Sequence, residues 1–380
     1  TQTYFGRAPN ASDFGPDGVN PLAEFGLLPN LILGTGTEFT GGYGNLFDTG
    51  LITNQTSVSK IESFSVYGEM NYRMSEAVTL TLGARFTEDE KTLTNELLGT
   101  LFSGAAAPIT GSDKRDKVTP KVGLQWRPNE QSMVYGSVTT GFKGAGFAAL
   151  NNITGEVTKF DEETVTAFEV GYKGTLADGR VRLDTSVYFY DYEDMQSTVQ
   201  FAEGPITTNL DEVEVKGLDF ALEWVPKDML SLFLNANFTD SEVTSYTGPD
   251  LFDPTAYGLG TVSIVGNPLP RSPEESVNAG ARYTFDLGSS GLLTIGGSVA
   301  YTSDYNHTQF GNILMTPSYA IGNANLTWMS ASGLTSINAF VRNVSDKEYL
   351  HTSFFTDAFG VLQFPGAPRT VGVQIRVNID

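Results

Sequence analysis

Apolar and polar residues alternate in several segments of the chain. From Val78 to Phe86, every second residue is apolar, and the residues between them are Thr, Gly or Arg. The same division recurs from Leu230 to Thr239 and from Thr370 to Ile379. Because successive side chains point to opposite faces of a β-strand, each segment predicts a strand with one apolar and one polar face.

Very short and very long connections alternate between these segments. Short turns are predicted at residues 73–77, 127–131, 176–180, 226–228, 287–291 and 330–333. Long polar loops are predicted at 92–116, 144–161, 200–212, 246–271, 308–317 and 346–366. Thirteen strands are predicted, at 59–73, 77–91, 117–127, 132–143, 163–175, 180–199, 213–226, 229–245, 272–286, 291–307, 318–329, 334–345 and 367–379. Hairpins that are tight at one end and long at the other are typical of a transmembrane β-barrel.

Large aromatic residues of the predicted strands lie near the short turns. Trp126, Trp224 and Trp328 each come shortly before such a turn, and Tyr72 and Tyr283 lie comparably. Trp and Tyr collect at membrane interfaces because the ring is apolar while its N–H or O–H needs a polar partner. A soluble β-sandwich would also alternate, but it would not predict aromatic residues clustered at one end of the hairpins. The sequence therefore predicts an all-β fold, an antiparallel up-and-down transmembrane β-barrel.

Composition is compatible with this fold and argues against two other classes. The 380 residues contain no apolar run of about 18 residues, the minimum for a helix that crosses a membrane. The net charge of −21 argues against a nucleic-acid partner, because phosphates require a basic surface. The chain has no cysteine, so it forms no disulfide.

The number of predicted strands indicates that the sheet continues beyond them. A membrane sheet has no open edge, because unpaired backbone groups in hydrocarbon are very costly. Single-chain bacterial barrels also usually have an even number of strands. We therefore expect further strands upstream of Thr1. Residues 1–58 are rich in Gly, Asn and Pro and show no sustained alternation, so we predict an extracellular loop or irregular segment there, followed by barrel at 59–380.

Several short motifs lie along the predicted strands and the loops after them. They are GFKGAGF at 141–147, FDEETVTAFEVGYKG at 160–174, RLDTSVYFYDY at 182–192 with Gln196, VKGLD at 215–219, GNPLP at 266–270, VRNVSDKEY at 341–349 and PRTVGV at 368–373. In this order and spacing, the motifs resemble the C-terminal half of the barrel of TonB-dependent outer-membrane receptors. The resemblance implies about 22 strands around a plugged lumen, of which about 13 belong to this chain. The early strands, and the N-terminal plug that contacts TonB, would then lie outside it.

The resemblance implies energised uptake of a scarce solute across the Gram-negative outer membrane. In such receptors the solute is most often an iron–siderophore complex, and TonB relays the proton-motive force to the plug. The implied partners are outer-membrane lipid and lipopolysaccharide, the TonB complex, and a small-molecule ligand. The alternatives are a passive porin-type channel without a plug and a soluble all-β adhesive domain. An enzyme is not expected, because the two histidines both lie in or beside predicted loops, away from any serine nucleophile on the wall.

Charged residues on the polar faces of the strands are expected to point into the lumen. They are Glu69, Arg85, Glu169, Lys173, Arg182, Asp184, Asp219, Glu223, Arg282, Arg342 and Arg376. We predict that the arginines of this set contact the plug. The alternative is that they pair along the wall or are solvated, since an exposed ion pair contributes only about 0–1 kcal/mol.

Ligand recognition is expected on the long loops, where the scaffold leaves the sequence free. Their aromatic rings are suited to stacking on a siderophore catechol or on a sugar. The candidate ligand-binding residues are Tyr305, His307, Phe310, His351, Phe354, Phe355 and Phe359. The alternative is that these loop aromatics pack on one another.

No cofactor or metal site is predicted. Two histidines without cysteine are a weak basis for a metal or haem site. The acidic run Asp161, Glu162 and Glu163 lacks the ligand spacing of a calcium loop, so we expect it to be a solvated run of charges.

Overall fold

The described part of the chain is built from β-strands. The computed structural model describes residues 54–98, 109–147, 159–201, 204–247, 264–308, 314–356 and 360–378. Its strands are β1 (Asn54–Arg73), β2 (Val78–Leu98), β3 (Ile109–Asn129), β4 (Ser132–Lys143), β5 (Gly146–Phe147), β6 (Lys159–Phe160), β7 (Glu163–Leu176), β8 (Val181–Phe201), β9 (Gly204–Lys227), β10 (Leu230–Ser245), β11 (Glu275–Asp286), β12 (Leu292–Thr302), β13 (Tyr305–Asn306), β14 (Met315–Thr316), β15 (Tyr319–Met329), β16 (Thr335–Arg342), β17 (Leu350–Thr356), β18 (Gly360–Pro365) and β19 (Thr370–Val377). Among these residues, no helix is both long and apolar enough to span a membrane.

Thirteen of these strands form one antiparallel sheet. Their order is β1-β2-β3-β4-β7-β8-β9-β10-β11-β12-β15-β16-β19, so each strand pairs with its neighbours along the chain. The other six strands form three small pairs, β5–β6, β13–β14 and β17–β18, which lie in the long connections. The predicted thirteen-stranded, up-and-down antiparallel arrangement is confirmed. Within the described ranges, β1 and β19 are the two edges of the sheet.

The six predicted short turns are confirmed, since each lies between two neighbouring strands of the sheet. The turn between β11 and β12 contains a single 3-10 turn, Gly288–Ser290, and closes with Gly291 at φ 93°. A Cβ at Gly291 would collide with the backbone of Met329 and Ala331. Glycine is therefore required there both by the positive φ and by the close approach of the next turn.

The two faces of the sheet have the reverse of the usual exposure pattern. Large apolar residues on one face are exposed, for example Val170 at 56% and Ile295 at 50%. On the opposite face Thr81 and Thr87 are buried, at 6% and 5% exposed. A soluble sheet would bury its apolar face, so this apolar band is the surface that faces lipid. We call the opposite, polar face the inner face.

The tryptophans near the short turns lie at similar positions on three strands of the sheet, β3, β9 and β15. Trp126 is paired with Val78, Trp224 with Val181, and Trp328 with Leu293. Each partner lies at or next to the first residue of its strand. The Trp328 indole N–H donates to the carbonyl oxygen of Ser290 at 2.9 Å. The three tryptophans thus lie at one level beside the short turns, as expected for an interfacial girdle.

The strand bounds differ from the prediction at the outer ends of the hairpins, opposite the short turns. Much of the predicted loops 92–116 and 200–212 is strand, because β2 pairs with β3 and β8 with β9 far beyond the segment that spans the membrane. About ten residues of a tilted strand suffice to cross the membrane. These outer extensions are rich in charge and do not alternate with apolar residues, so the pattern did not indicate them.

Two further bounds also differ. The strand predicted at 291–307 ends at Thr302, and residues 305–306 belong to the separate β13–β14 pair. β1 begins at Asn54, inside the segment predicted to be irregular, and residues 1–53 of that segment lie outside the described residues.

Candidate functional site at the outer mouth

Four segments fold back at the outer ends of the strands, and together we call them the outer mouth. They are residues 143–147 with 159–163, residues 264–271, the β13–β14 pair, and the β17–β18 hairpin. All but the β13–β14 pair contain or follow one of the motifs noted in the sequence. Their contacts with the strands determine what this end of the sheet presents to a ligand.

Gln196 of β8 anchors the connection between β4 and β7. Its side-chain amide donates to the carbonyl oxygens of Lys143, Gly144 and Asp161, at 3.3, 3.2 and 3.0 Å. The Gln196 backbone N–H donates to the Glu163 carboxylate at 2.8 Å. The motifs at 141–147 and 160–174 therefore meet at one glutamine. Their spacing in the sequence gave no indication of this, because the contacts join residues far apart along the chain.

Strands β9 and β2 hold the connection between β4 and β7 from its two sides. Asn209 of β9 donates its side-chain amide to the carbonyl oxygen of Asp161 at 3.0 Å and accepts the Asp161 backbone N–H at 2.8 Å. On the other side, the Lys91 ammonium donates to the carbonyl oxygen of Gly144 at 3.1 Å. The connection thus bridges the outer extensions of β2 and β8–β9.

Ion pairs fix the acidic run at 161–163. Glu162 pairs with Lys117 at 2.8 Å, and these two side chains are only 19% and 27% exposed. Asp161 pairs with Arg115 at 2.9 Å, and Lys159 pairs with Asp113. The expectation of a solvated run suits the exposed Asp161 but is wrong for Glu162. Glu162 is paired with Lys117 of β3 and is therefore largely shielded from water. The sequence pattern does not reveal this contact between a strand and a loop.

Carboxylates concentrate around the β8–β9 extension. Asp194 has a positive φ of 54°, and its carbonyl oxygen accepts a hydrogen bond from Asn209 at 2.7 Å. Partial desolvation raises the pKa of the Asp194 carboxyl, and the nearby carboxylates Asp161 and Asp211 raise it further. In the described residues, no group of three or more His, Asp or Glu side chains is arranged to hold a metal ion.

A small apolar core lies beneath the segment 264–271. It consists of Leu210, Val213, Val243 and Ile264, each at most 8% exposed. Val243 exchanges backbone hydrogen bonds with this segment: its N–H donates to Asn267 at 3.0 Å, and its carbonyl accepts from Gly266 at 2.9 Å. The GNPLP motif therefore holds the segment 264–271 against β10 at the outer end of the sheet.

The candidate ligand residues fall into three groups. Tyr305 and His307 are neighbours, with ring centroids 5.1 Å apart. His351 lies at the start of β17, and the backbone of Phe354 and Phe355 continues that strand. Phe310 and Phe359 lie outside the described residues. Tyr305 and His307 thus lie close together, and His351 is near enough for its charge to act on His307.

His307 differs from the others because it is buried, at 7% exposed. One ring nitrogen, Nε2, lies 2.7 Å from Oγ1 of Thr316, and the other, Nδ1, accepts the Ser353 backbone N–H at 3.4 Å. Both nitrogens therefore have protein partners. Burial lowers the pKa of His307, and the Arg271 charge lowers it further.

The β17–β18 hairpin reaches across the mouth. It follows β16 in the chain, yet β17 contacts β8, which lies six strands away in the sheet. An element that joins distant strands across the opening necessarily lies over it. The hairpin therefore restricts access to the inner face, and His351 is carried on it.

The inner-face charges fall into two groups. On β1–β8, Glu69 pairs with Lys121 at 3.0 Å, Lys173 pairs with Asp184 at 2.9 Å, and Arg85 donates to Ser65 at 2.8 Å. Across the described ranges, Arg182, Arg282, Arg342 and Arg376 form no ion pair with a carboxylate. Ion pairs along the wall are thus present on β1–β8 but do not include these four arginines.

The last strands form a carboxylate-free part of the inner face. Arg282, Arg342 and Gln374 line an open cavity of about 570 Å³ together with Asn325 and Asn338. Strands β12, β15, β16 and β19 contain no Asp or Glu, and β11, which carries Arg282, has carboxylates only at its two ends, Glu275 and Asp286. In a protein of net charge −21, this basic and amide-rich surface stands apart. We call it the basic wall.

Comparison with known proteins agrees with this architecture. Residues 2–344 match the family model described as TonB-dependent receptor-like, β-barrel. The chain belongs to this family. As a TonB-dependent receptor barrel, it lies in the outer membrane of a Gram-negative bacterium, and the apolar band of its sheet faces lipid. The family is one of transporters and receptors.

Individual relatives share this barrel. A probable TonB-dependent siderophore receptor, PiuA of Acinetobacter baumannii, is 24% identical over 309 residues, which cover 79% of this chain and 38% of that protein. The crystal structure of the ferric yersiniabactin uptake receptor FyuA from Yersinia pestis aligns with a TM-score of 0.71 at 19% identity, covering 86% of this chain and 47% of FyuA. The PiuA structure aligns with a TM-score of 0.63 at 21% identity, covering 83% and 43%.

The chain of this TonB-dependent receptor barrel spans less than half the length of each of these relatives. At such identities, the structural likeness establishes the fold.

Proposed function

We propose that this chain forms the wall and outer mouth of a receptor that takes up an iron–siderophore complex with energy relayed by TonB. Family membership supports the TonB dependence. Relatives named as siderophore receptors, PiuA and FyuA, support the class of solute. The observation that carries the proposal is the outer mouth, where several motif segments fold back and the β17–β18 hairpin crosses to β8.

The mouth offers suitable chemistry for such a ligand. Tyr305 lies in β13, and His351, Phe354 and Phe355 lie on the crossing hairpin. Aromatic side chains stack on planar aromatic or chelate groups. We propose that these four residues contact the ligand, together with Phe310 and Phe359. His307 lies in this region but holds the segments together, because both of its ring nitrogens have protein partners.

The alternative, a passive porin, is disfavoured. A porin needs an open path from its mouth to its lumen, whereas here a hairpin spans the mouth and several connections are anchored over the strands. The family model also describes receptors that depend on TonB. A barrel as wide as that of the relatives would need a plug to be selective.

We propose that the basic wall binds the plug. Arg282 and Arg342 carry permanent charges and have no carboxylate partner in the described part of the wall. Arg182 and Arg376 share this property, whereas Arg85 is held by Ser65 and Thr87. Acidic residues of a plug would supply the missing partners. The double variant R282Q/R342Q should therefore admit more of a large antibiotic, and R180Q, which alters an exposed pair at a short turn, should not.

The central test uses cells that produce the full-length receptor under iron limitation. We expect uptake of radiolabelled ferric siderophore that stops when tonB is deleted or the proton-motive force is collapsed. The Tyr305→Ala and His351→Ala variants should weaken ligand binding while the receptor still reaches the membrane. Uptake that continues without TonB, at a rate proportional to solute concentration, would support the porin instead.

A further inference from the structure

Three segments of the outer mouth meet at His307. The Arg271 backbone N–H donates to the carbonyl oxygen of Asn306 at 2.7 Å, which joins segment 264–271 to β13. The Arg271 guanidinium donates to Oγ1 of Thr352 at 2.9 Å, which joins the same segment to β17. His307 joins β14 to β17 through Thr316 and Ser353. These contacts link the sheet to the hairpin that crosses the mouth.

The hydrogen bonds of His307 require one protonation state. A backbone N–H can only donate, so Nδ1, which faces the N–H of Ser353, must carry a lone pair. The proton of the neutral ring therefore lies on Nε2 and is donated to Thr316 Oγ1. Thr316 and Ser353 are 0% and 1% exposed, so water does not reach this junction easily. The doubly protonated ring would place an N–H against the N–H of Ser353.

We propose that neutral His307 is the joint that holds the β17–β18 hairpin across the outer mouth, and that protonation of His307 releases the hairpin. Protonation converts the Ser353 acceptor into a donor and removes that hydrogen bond. It also places a positive ring in a buried site, where an uncompensated charge is costly. Moving the hairpin away from β13–β14 relieves both penalties, because it returns the imidazolium to water.

The surrounding charges reinforce this effect. The groups that act on the His307 charge are Arg271, on the segment packed against β13, and His351, on β17. Both disfavour a positive ring. Tyr305 contributes an uncharged ring 5.1 Å away. Arg271 also holds the hairpin through Thr352, so repulsion from an imidazolium acts on two of its attachments at once.

The direction of the pH effect follows from linkage. In the closed mouth the pKa of His307 is lowered from its ordinary value of 6.5, and in the released hairpin it returns toward that value. The closed state therefore has its full stability above about pH 6.5. It loses stability as the pH falls below that value, until the ring is also protonated in the closed state. Release should be observed in mild acid and should reverse on neutralisation.

The test measures the mobility of the hairpin in the full-length receptor. The 380 residues contain no cysteine, so a spin label on Q363C, an exposed position of β18, reports on the hairpin. Any cysteine elsewhere in the receptor is replaced by serine. We expect the spectrum to change from immobile to mobile as the pH is lowered from 8 to 4.5, and to recover on return to pH 8.

Two variants separate His307 from other titrating groups. H307Q provides a side chain that accepts and donates but does not titrate, so its hairpin should stay immobile throughout the range. H351Q removes the other histidine of this chain and should keep the transition, since His351 makes no comparable joint. T316V is the alternative variant to use if H307Q does not fold. It removes the hydroxyl that partners Nε2 of His307, so the hairpin should be mobile already at pH 8.

Each outcome decides the proposal. A transition in the parent and in H351Q that is lost in H307Q supports it. A hairpin that stays immobile down to pH 4.5 in the parent, or a transition that persists in H307Q, would overturn it. The measurement needs no ligand, so its result is independent of the proposed uptake.

Discussion

The ring of Phe233 lies across Gly280, its partner on the neighbouring strand, so closely that a Cβ at Gly280 would overlap the ring. The same relationship recurs on the inner face in three other register pairs: Tyr135 with Gly171, Tyr188 with Gly217, and Phe340 with Gly372. In each pair the aromatic residue precedes the glycine in the chain. A ring that covers a glycine of the next strand shields the backbone there and fixes the register of the two strands.

Gly280→Ala should therefore destabilise the barrel. The added methyl group must displace the Phe233 ring or the backbone of Gly297, and overpacking of this kind costs about 1–3 kcal/mol. The measurement is the temperature at which the folded form on a detergent gel is lost. Gly322→Ala is the matched control, because a Cβ at Gly322 of β15 meets no atom within 4 Å. If the two variants lose the folded form at the same temperature, the Phe233 ring moves aside without a free-energy cost.

Gln196→Ala should loosen the connection between β4 and β7 without unfolding the sheet. The variant loses the amide that donates to Lys143, Gly144 and Asp161, at a cost of about 1–2 kcal/mol. Limited proteolysis of intact cells should then cut the connection faster. Thr198→Ala lies two residues away on the same strand and removes a single exposed contact with Thr207, so it should leave the cutting rate unchanged. Equal rates in both variants would indicate that strand pairing alone holds the connection.

The Lys117–Glu162 pair should contribute more than the other pairs on the rim. Its side chains are mostly buried, and Oε2 of Glu162 is buried without a partner among the described atoms. Lys117→Ala would leave this carboxylate uncompensated, so we expect a loss on the order of 1–3 kcal/mol. Lys60→Ala, which breaks an exposed pair with Glu62, should cost less, because solvent screens that pair.

Thermal melts of both variants measure the difference. The double variant K117E/E162K restores opposite charges at the same two positions and should recover part of the loss. If Lys117→Ala and Lys60→Ala melt alike, the burial of the Glu162 pair does not strengthen it.

The strands could be predicted from the sequence because the membrane imposes a simple rule on them. Lipid requires apolar residues at alternate positions, and the interface requires Trp126, Trp224 and Trp328 near the turns. Outside the membrane this rule no longer applies. The outer extensions of β2–β3 and β8–β9 are held by cross-strand pairing and by charges such as Lys117 and Glu162, and these leave no periodic signal.

The candidate site was predicted in composition but not in arrangement. The aromatic loop residues were recognised because Tyr305, His307 and His351 lie in polar connections. The burial of His307 was not foreseen, because it depends on Thr316 and on Ser353, 46 residues away. The role of Gln196 was missed for the same reason. The sequence shows the motifs at 141–147 and 160–174 separately. Only the fold shows that Gln196 of β8 joins these two motifs.

Asp194→Asn should stabilise the β8–β9 extension at neutral pH. Asp194 lies beyond the segment of β8 that crosses the membrane, and its carboxyl has a raised pKa because of partial desolvation and the nearby Asp161 and Asp211. A carboxyl whose pKa is raised in the folded state destabilises that state when ionised. The penalty is present above the folded pKa and disappears as the pH falls below the unfolded value. Asn removes the charge and tolerates the positive φ of this position.

The variant should therefore melt at a higher temperature than the parent at pH 7.5, and the two should converge near pH 3.5 as the aspartate becomes protonated. Glu193→Gln is a useful control, since it removes one of the neighbouring charges that act on Asp194 and leaves the Asp194 carboxyl in place, and it should give a smaller gain. A gain for Asp194→Asn that is equally large at both pH values would show that backbone conformation, and not charge, is responsible.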